Sequence, residues 1–462
     1  MLLIFPIHSL AKQISYTGLN KYLCLRRDLV QLLYSSGGKV IRHPTIAPPP
    51  DRLHKFRIYS IDCSAIALYL RRMLLITDNE ALLAFCKRLA GTHYITIDTE
   101  FLREKTYWPQ LCLVQIANDD NAAVIDALAP GIDLSPVFDI LIDTNVLKVF
   151  HAARQDMEIF FNLMGELPAP IFDTQIAAMV YGFGDSVGYE QLVAKLVKAT
   201  VDKSSRFTDW SLRPLSAKQI DYAISDVTHL RVAYKKLAKN LEDKGRTAWI
   251  IDEMGILTRD ETYNGNPDNA FRRIKSRAKT KRFLALLREL AAWREREAQR
   301  RDVPRNRVLR DEALVEIAHH TPSNVAELSR TRGLGDKIAE GRYGKELLEA
   351  VVRGKAVPND ECPELRNKPE MPRGIGPVTD MLKVLLKLKC DSHDVAPKLV
   401  TSSADVELLA AFGEEADIAA LKGWRRELFG EDALKIRTGE FGLAVRGKKL
   451  VLAELKSEEA ET

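Results

Sequence analysis

The chain is 462 residues long, which exceeds the usual size of one domain and predicts two to four domains with separate cores. Its composition, 46% hydrophobic and 28% charged, is that of a globular protein, and no run of 18 or more apolar residues predicts a membrane span. Six scattered cysteines without zinc-finger spacing argue against a zinc module and indicate reduced thiols in a cytoplasmic protein.

The net charge of +5 is unevenly distributed along the chain. Residues 1–72 hold 11 Lys and Arg against 3 Asp and no Glu, whereas residues 73–462 carry a net charge of −3. The segment 1–72 also lacks a sustained helical or strand period. Three interpretations of this basic N-terminal extension stay open: a stretch upstream of the biological start, an acid-poor targeting peptide, or a basic tail that binds RNA.

Regular patterns begin at Met73. Residues 74–89 predict a short strand followed by an amphipathic helix, with Asp78 or Asn79 as its N-cap. Further strands and helices then alternate, which predicts an α/β domain over residues 73–245. Its strands are predicted at 94–101, 111–117, 122–125 and 146–150, and its helices near 135–142, 155–164 and within 185–241.

The remainder of the chain is predicted to be helical except at its end. We expect a helical linker (246–280), a first small helical domain (281–360), a second linker (361–373) and a second, degenerate helical domain (374–460). Gly333 and Gly335 predict a tight turn between helices of the first domain. The last stretch, around residues 443–452, predicts a terminal hairpin.

One basic block stands out in this half. Residues 271–310 hold 15 Lys and Arg against 4 Asp and Glu, and include a helix predicted at 282–301 whose apolar positions lie mostly on one side. The block is either a solvated helix face or a surface that contacts phosphates. The excess of positive charge favours the phosphate-contacting surface.

Two acidic residues, Asp98 and Glu100, lie two positions apart in the predicted strand 94–101. Because strand side chains alternate between faces, both carboxylates leave the same face of the sheet. The apolar neighbours Ile97 and Phe101 indicate a central strand rather than a solvated edge. Buried carboxylates repel each other and are costly to desolvate, so a bound cation is expected to balance them.

Further acids extend this pattern. Asp156 starts the predicted helix 155–164, where an acidic residue is also favourable with the helix dipole alone. Tyr222 and Asp226 are four positions apart in a predicted helix, so their side chains lie on one face. Asp173, by contrast, is expected to cap a helix rather than to bind metal.

Several carboxylates without His or Cys select hard cations such as Mg²⁺ or Mn²⁺ over Zn²⁺. Two such ions, about 3.5–4 Å apart, would clamp a phosphodiester during in-line attack by water, with one activating the water and the other stabilising the leaving 3′ oxygen. The hydroxyl of Tyr222 is then available to orient that water. The predicted chemistry is phosphoryl hydrolysis.

The order and separation of these residues resemble a known family. Asp98-x-Glu100, Asp156 and Tyr222-x-x-x-Asp226 are similar to the three exonuclease motifs of the DEDD superfamily, tyrosine subclass. Longer strings resemble the ribonuclease D family in particular: Asp98-Thr-Glu-Phe, Tyr107-Trp-Pro-Gln-Leu, His151-Ala-x-x-x-Asp156, Phe172-Asp-Thr-Gln-Ile and Asp209-Trp-Ser-Leu-Arg-Pro-Leu. Residues 290–318 resemble the HRDC module of this family, which usually contacts nucleic acid. The resemblance implies an α/β ribonuclease H-like exonuclease domain followed by two small all-α HRDC-type domains.

The resemblance also implies roles for single residues. Asp98, Glu100, Asp156 and Asp226 correspond to the ligands of two divalent metal ions, Mg²⁺ or Mn²⁺. Tyr222 corresponds to the residue that holds the nucleophilic water. All five positions match the pattern of the family.

Contacts with the substrate are less specified by the sequence. Phe101, Tyr107 and Trp108 are candidates for stacking on the terminal nucleotide, although aromatic residues beside a core strand often belong to the core. Lys203 and Arg206 are candidates for phosphate contacts, with ordinary surface charge as the alternative.

The implied activity is that of a 3′→5′ exoribonuclease that releases 5′-mononucleotides, with transfer RNA precursors as its RNA partner. No nucleotide cofactor is expected, since no Walker-type phosphate loop occurs. A monomer is the favoured oligomeric state. A DNA exonuclease of the same superfamily would carry the same acids, but usually accompanies a polymerase or an ATPase. A catalytically inactive nucleic-acid-binding protein would be expected to have lost some of these acids.

Overall fold

The computed structural model describes residues 74–202, 204–365 and 369–455. The N-terminal extension 1–72, Lys203 and part of the second linker lie outside the described residues, as do the last residues of the chain. None of the helices in the described ranges is both long and apolar enough to cross a membrane. The four cysteines described, Cys86, Cys112, Cys362 and Cys390, are free and buried, as the sequence predicts.

The first domain is an α/β unit that follows the predicted alternation. Its elements are β1 (Leu75–Ile76), α1 (Asn79–Leu89), β2 (Tyr94–Leu102), β3 (Gln110–Ala117), β4 (Ala122–Asp126), α2 (Ser135–Ile142), β5 (Leu147–Phe150), α3 (Arg154–Met164), β6 (Ile171–Asp173), α4 (Thr174–Tyr181), α5 (Tyr189–Leu196), α6 (Ala217–Asp243) and α7 (Thr247–Leu257). Asp78 caps α1 by accepting a hydrogen bond from the amide of Ala81, and Asp173 caps α4. Both caps confirm the sequence-based predictions.

The six-stranded mixed sheet places β2 at its centre, in the order β1-β4-β3-β2-β5-β6. β2 pairs antiparallel with β3 and parallel with β5, so it is hydrogen-bonded on both edges. Both faces of a central strand are covered, which explains why the residues beside Asp98 and Glu100 in β2 are apolar. The long helix α6 packs across the middle of the sheet, against β2, β3 and β4, and its buried face includes Ala223, Val227 and Leu230.

The first helical module contains six helices around its own apolar core. After two 3₁₀ segments (Asp260–Thr262 and Pro267–Arg273) come α8 (Lys281–Arg301), α9 (Arg305–Val308), α10 (Asp311–His320), α11 (Val325–Ser329), α12 (Asp336–Ala339) and α13 (Arg342–Ala356). α8 packs closely on α13, where any side chain at Gly354 would collide with the backbone of Leu286. Gly333 and Gly335 have positive φ angles in the predicted turn between α11 and α12.

The helix α8 departs from the prediction of one apolar side. Its buried residues include Arg294, Glu295 and Glu297 as well as Leu290 and Trp293, so it is covered on nearly all sides. The cause is its position, since α10, α13 and the segment 267–273 all pack on it. Part of the predicted basic surface is therefore internal to the module.

The second helical unit ends in a hairpin and shares a core with the exonuclease domain. Its elements are α14 (Gly376–His393), α15 (Pro397–Val400), α16 (Ser403–Phe412), α17 (Gly423–Arg425), a π-helical turn (Arg426–Gly430), α18 (Glu431–Thr438), β7 (Phe441–Arg446) and β8 (Lys449–Glu454). Trp249 of α7 stacks on Trp424 with ring centroids 4.3 Å apart. Leu382 and Leu385 join the same apolar cluster as Ile95 of the central strand. The predicted terminal hairpin is confirmed.

Candidate active site

Asp98 and Glu100 lie on the central strand β2 and leave the same face of the sheet, as their spacing predicts. The pairing of β2 with β3 shifts between Glu100 and Phe101, which marks an irregularity directly after the second carboxylate. Such bulges bend a strand and change the direction of the next side chains. The two acids are thus the last residues of β2 in its regular register.

Asp226 reaches the same place from α6. Carboxylate oxygens of Asp98, Glu100 and Asp226 lie within 4.8 Å of one another. A buried hydrogen bond of 2.9 Å from the hydroxyl of Thr96 to the carbonyl of Val227 fastens α6 to β2 beside this cluster. The hydroxyl of Tyr189 also donates to the carbonyl of Asp226. α6 is therefore tied to β2 and to α5 at its acidic residue.

Asp156 is buried in the first turn of α3. Its carboxylate accepts a hydrogen bond from Thr99, the residue between the two acids of β2. The start of α3 is itself held by Asp173, which accepts hydrogen bonds from the amides of Ala152 (3.0 Å) and Ala153 (2.8 Å). Asp173 therefore serves two helix N-termini, and the structure brings Asp156 next to the cluster on β2.

The carboxylates of this cluster have too little positive charge nearby to balance their negative charges. Burial raises the pKa of Asp98 well above its ordinary range, and the neighbouring carboxylates raise it further. Burial and the charges of Asp226 and Asp156 raise the pKa of Glu100 to about 9. Burial also raises the pKa of Asp226 to about 8 and that of Asp156 to about 7, although hydrogen bonds oppose both shifts.

The residues present fit a divalent cation. Among the described residues, no hydrogen-bond donor reaches Oδ1 of the buried Asp226. A buried carboxylate oxygen without a partner is costly, and a cation removes that cost. The donor set consists of carboxylate oxygens alone, which suits hard ions such as Mg²⁺ or Mn²⁺.

Tyr222 lies one helical turn before Asp226, on the same face of α6. Burial raises the pKa of its hydroxyl, and the charges of Asp226, Glu100 and Asp98 add to the effect. The phenol therefore keeps its proton at neutral pH. A protonated hydroxyl beside three carboxylates is able to donate a hydrogen bond to a water molecule or a phosphate oxygen.

The predicted substrate contacts are distributed over two places. Arg206 is exposed, and its positive charge acts on Glu100, Asp226 and Tyr222, which places it at the edge of the acidic cluster. Phe101 is partly buried against the core of the exonuclease domain. Lys203 is not among the described residues.

Tyr107 is placed differently from the prediction. It is buried in the core of the first helical module, and its hydroxyl bonds with Glu295, Gln299 and Arg305. The adjacent Trp108 packs against the same core. The contacts of Tyr107 are those of an anchor between two domains, because the ring has no free face for a nucleotide.

Two residues beside the site were missed by reasoning from the sequence. Gln115 pairs with Asp98 in the register of β2 and β3, is fully buried, and has no hydrogen-bond partner among the described residues for either side-chain polar atom. In the sequence, the only indication of this residue is an amide side chain within a mostly apolar strand. Phe207 is 90% exposed next to Arg206. An aromatic residue in a polar loop carries no periodicity, so its exposure became evident only in the structure.

Comparisons with known proteins agree with this geometry. Residues 73–242 match the family described as 3′-5′ exonuclease, and residues 283–351 match the HRDC domain. Ribonuclease D of Granulibacter bethesdensis is 49% identical over 379 residues, which cover 82% of this chain and 96% of that protein. Ribonuclease D of Gluconacetobacter diazotrophicus is 49% identical over 376 residues, which cover 81% and 95%.

A solved structure supports the same assignment. The crystal structure of Escherichia coli RNase D, described as an exoribonuclease involved in structured RNA processing, matches with a TM-score of 0.68 and 33% identity. The match covers 79% of this chain and 97% of that one. Of the fold expected from the resemblance, the ribonuclease H-like exonuclease domain and the first helical HRDC domain are confirmed. With two matched domains and relatives of nearly half-identical sequence over most of its length, the chain belongs to the ribonuclease D family of 3′→5′ exoribonucleases.

Proposed function

We propose that the cluster of Asp98, Glu100, Asp156 and Asp226 holds two divalent ions, Mg²⁺ or Mn²⁺, with which this exoribonuclease trims the 3′ ends of transfer RNA precursors. The observation that carries the proposal is the convergence of three carboxylates within 4.8 Å, with a buried oxygen of Asp226 lacking any hydrogen-bond partner among the described residues. Bound divalent ions supply activation of the attacking water and stabilisation of the leaving 3′ oxygen.

The side chains of the cluster prepare this chemistry. Asp98 and Glu100 are fixed by the central strand, and Asp226 by the bonds that hold α6 to it. Thr99 fixes the rotation of the Asp156 carboxylate. Acids held in this way need little rearrangement when a cation and a scissile phosphate arrive, which favours the transition state.

Tyr222 is proposed to orient the attacking water. Its hydroxyl remains protonated at neutral pH, because burial and the nearby carboxylates raise its pKa. It therefore acts as a hydrogen-bond donor and not as a base. The proton of the attacking water must therefore leave through another acceptor.

The first helical module is proposed to bind the RNA upstream of its 3′ end. A cleft of about 460 Å³ lies between this module and the loop that follows β2, and its lining includes the exposed Arg273. Exposed Lys275 and Arg277 lie on the same basic block. Cations beside a nuclease site attract phosphates without selecting a sequence, which suits an enzyme that meets many 3′ ends.

We also propose the domain boundaries expected from the sequence, with residues 374–460 as a second HRDC-type domain, since five helices occupy that range. We also propose that the protein is a monomer, since the acidic cluster is assembled within one exonuclease domain and does not require a second subunit. A cytoplasmic location is supported by the free, buried state of the four described cysteines.

The test is digestion of a 5′-labelled transfer RNA with an extended 3′ tail by the full chain in Mg²⁺ and in Mn²⁺, beside a DNA strand of matched sequence. Stepwise shortening of the RNA from its 3′ end is expected, with little action on DNA and none in EDTA. Asp98→Asn should abolish trimming, whereas Glu242→Gln, at the exposed C-terminal end of α6, should leave it intact. No trimming by the folded native chain in either metal would contradict the proposal, and trimming of an unrelated RNA alone would contradict the choice of substrate.

A further inference from the structure

The loop between α5 and α6 carries an exposed aromatic ring. Phe207 is 90% exposed and is the only aromatic residue among the strongly exposed large hydrophobic side chains of the described chain. Single exposed apolar side chains are common on protein surfaces, so Phe207 is singled out by its aromatic ring and by its position beside the acidic cluster and not by exposure alone.

Hydrogen bonds order the loop around Phe207. Before the ring, the carboxylate of Asp202 accepts a hydrogen bond from the amide of Ser204 (2.9 Å). After it, the hydroxyl of Thr208 bonds to the carbonyl of Ser205 (2.8 Å) and accepts a hydrogen bond from Gln219 of α6 (3.2 Å). The loop is therefore tied to α6, and the ring is presented to solvent by a defined backbone.

The same loop borders the catalytic cluster. Trp210 is buried, and its ring centroid lies 6.0 Å from that of Tyr222. Arg206 acts electrostatically on Glu100 and Asp226, and its guanidinium carbon lies 5.2 Å from the centroid of the Phe207 ring. An exposed ring thus stands next to a cation that faces the acids.

An aromatic face and an adjacent arginine are the two elements with which proteins bind unpaired nucleotides. Every base offers a face for stacking, so such a contact is tolerant of sequence, while the cation meets the phosphate. A scissile phosphate at the acids brings the last nucleotides of the RNA to the edge of the cluster, where Arg206 and Phe207 lie.

We propose that Phe207 forms a stacking subsite for the base of one of the last two nucleotides of the RNA, with Arg206 contacting the neighbouring phosphate. The inference rests on the proposed function, since it assumes that an RNA 3′ end lies at the acidic cluster. It gives the enzyme a contact that requires an unpaired base but no particular base, and so favours single-stranded 3′ ends over paired ones.

The test compares the full native chain with Phe207→Ala, Phe207→Trp and the control Leu212→Ala, a large apolar residue that is 64% exposed in the same loop. Release of the first nucleotide is measured on a short unpaired RNA and on versions with one abasic ribose at the last, the second-to-last or a distant upstream position. Phe207→Ala is expected to raise KM roughly 5- to 20-fold on the intact RNA with kcat nearly unchanged. Phe207→Trp should restore KM, and Leu212→Ala should not alter it.

Abasic RNA separates stacking from a structural role. If Phe207 stacks on a base, one of the two terminal abasic positions should raise KM for the native chain and remove most of the penalty of Phe207→Ala, whereas the distant position should leave that penalty intact. An unchanged KM for Phe207→Ala, or a penalty that is equal on all the abasic RNAs, would overturn the inference. These outcomes presuppose trimming by the native chain, whose complete absence would instead count against the proposed function.

Discussion

Two groups of buried carboxylates in this protein meet the cost of burial in different ways. Glu295 of the first helical module is 1% exposed and bonds with Arg305 and Tyr107, and these partners hold its pKa below the ordinary value despite its burial. Asp226 is buried to a similar degree, at 5% exposed, but its pKa is raised to about 8. The module supplies its own countercharge, whereas the catalytic cluster does not.

The difference separates a structural site from a functional one. Glu295 is hydrogen-bonded to two partners that compensate its charge, and it joins Tyr107 of the exonuclease domain to the module. Asp226 has a buried carboxylate oxygen without a hydrogen-bond partner among the described residues, and a bound cation is the simplest group that would compensate its charge. Changes that remove one charge should therefore have opposite effects on stability in the two regions.

The largest expected effect is on activity at the catalytic cluster. Asp226→Asn removes a proposed ligand and should lower kcat/KM on RNA by about 10³-fold or more. In the absence of metal the same variant should be at least as stable as the native chain, because it relieves repulsion among the acids. Activity assays and thermal unfolding in EDTA, with Glu242→Gln as control, check both parts, and a clearly destabilised Asp226→Asn variant would contradict the second.

The opposite result is expected at the interdomain network. Glu295→Gln leaves the charge of Arg305 poorly compensated at a partly buried position and should destabilise the module by about 3–5 kcal/mol. Hydrogen exchange of the amides of α8 reports this locally, and the exposed Glu312→Gln serves as control. Cleavage of a dinucleotide should persist, since the acids lie on another domain. A loss below about 1 kcal/mol would mean that the network is as weak as a surface pair.

Tyr222→Phe should have an intermediate effect, because it removes only the hydroxyl that is proposed to orient water. We expect kcat to fall by about 10- to 100-fold, with little change in KM or in divalent ion binding. Single-turnover cleavage measures the chemical step, and a Mn²⁺ titration of the same variant provides the control. Undiminished cleavage would remove Tyr222 from the proposed mechanism.

The smallest expected effect is a pH dependence of stability that differs in sign between the two regions. Asp156, Asp226 and Glu100 have folded-state pKa values raised to about 7, 8 and 9. The folded state therefore binds more protons than the unfolded state above about pH 4, and the metal-free domain should lose stability as pH rises from about 4 to 9. Mg²⁺ should remove this loss.

Glu295 should behave in the opposite way. Its folded-state pKa is lowered, so its contribution to stability is present above the unfolded pKa and is lost as pH falls. Hydrogen exchange at several pH values, read separately for β2 and α8, distinguishes the two trends. Equal slopes in both regions would contradict the distinction between compensated and uncompensated acids.

Local periodicity made much of the catalytic site predictable. Asp98 and Glu100 share a face because strand side chains alternate, and Tyr222 and Asp226 share one because they are a helical turn apart. These relations hold within one element and do not depend on the rest of the fold. The meeting of β2 with α6 was available only through the resemblance to a family, since no local pattern encodes it.

Tertiary contacts explain what the sequence could not predict. Arg294 and Glu295 were counted with a basic surface, yet both are buried, because partners at Asp311 and Arg305 compensate their charges. The sequence leaves Tyr107 open as either a stacking residue or a core residue, because the partners that hold it come from almost two hundred residues away. The three-residue strand β6 is too short to show a period.

Direct measurement of divalent ion binding tests the central claim most directly. Mn²⁺ is titrated into the full chain near neutral pH and followed by calorimetry and by electron paramagnetic resonance, in parallel with Asp98→Asn and Glu295→Gln. The account predicts two bound ions in the native chain and in Glu295→Gln, and at most one in Asp98→Asn. Equal binding by the native chain and Asp98→Asn, or no binding by either, would contradict the claim that the uncompensated acids form the metal site of this exoribonuclease.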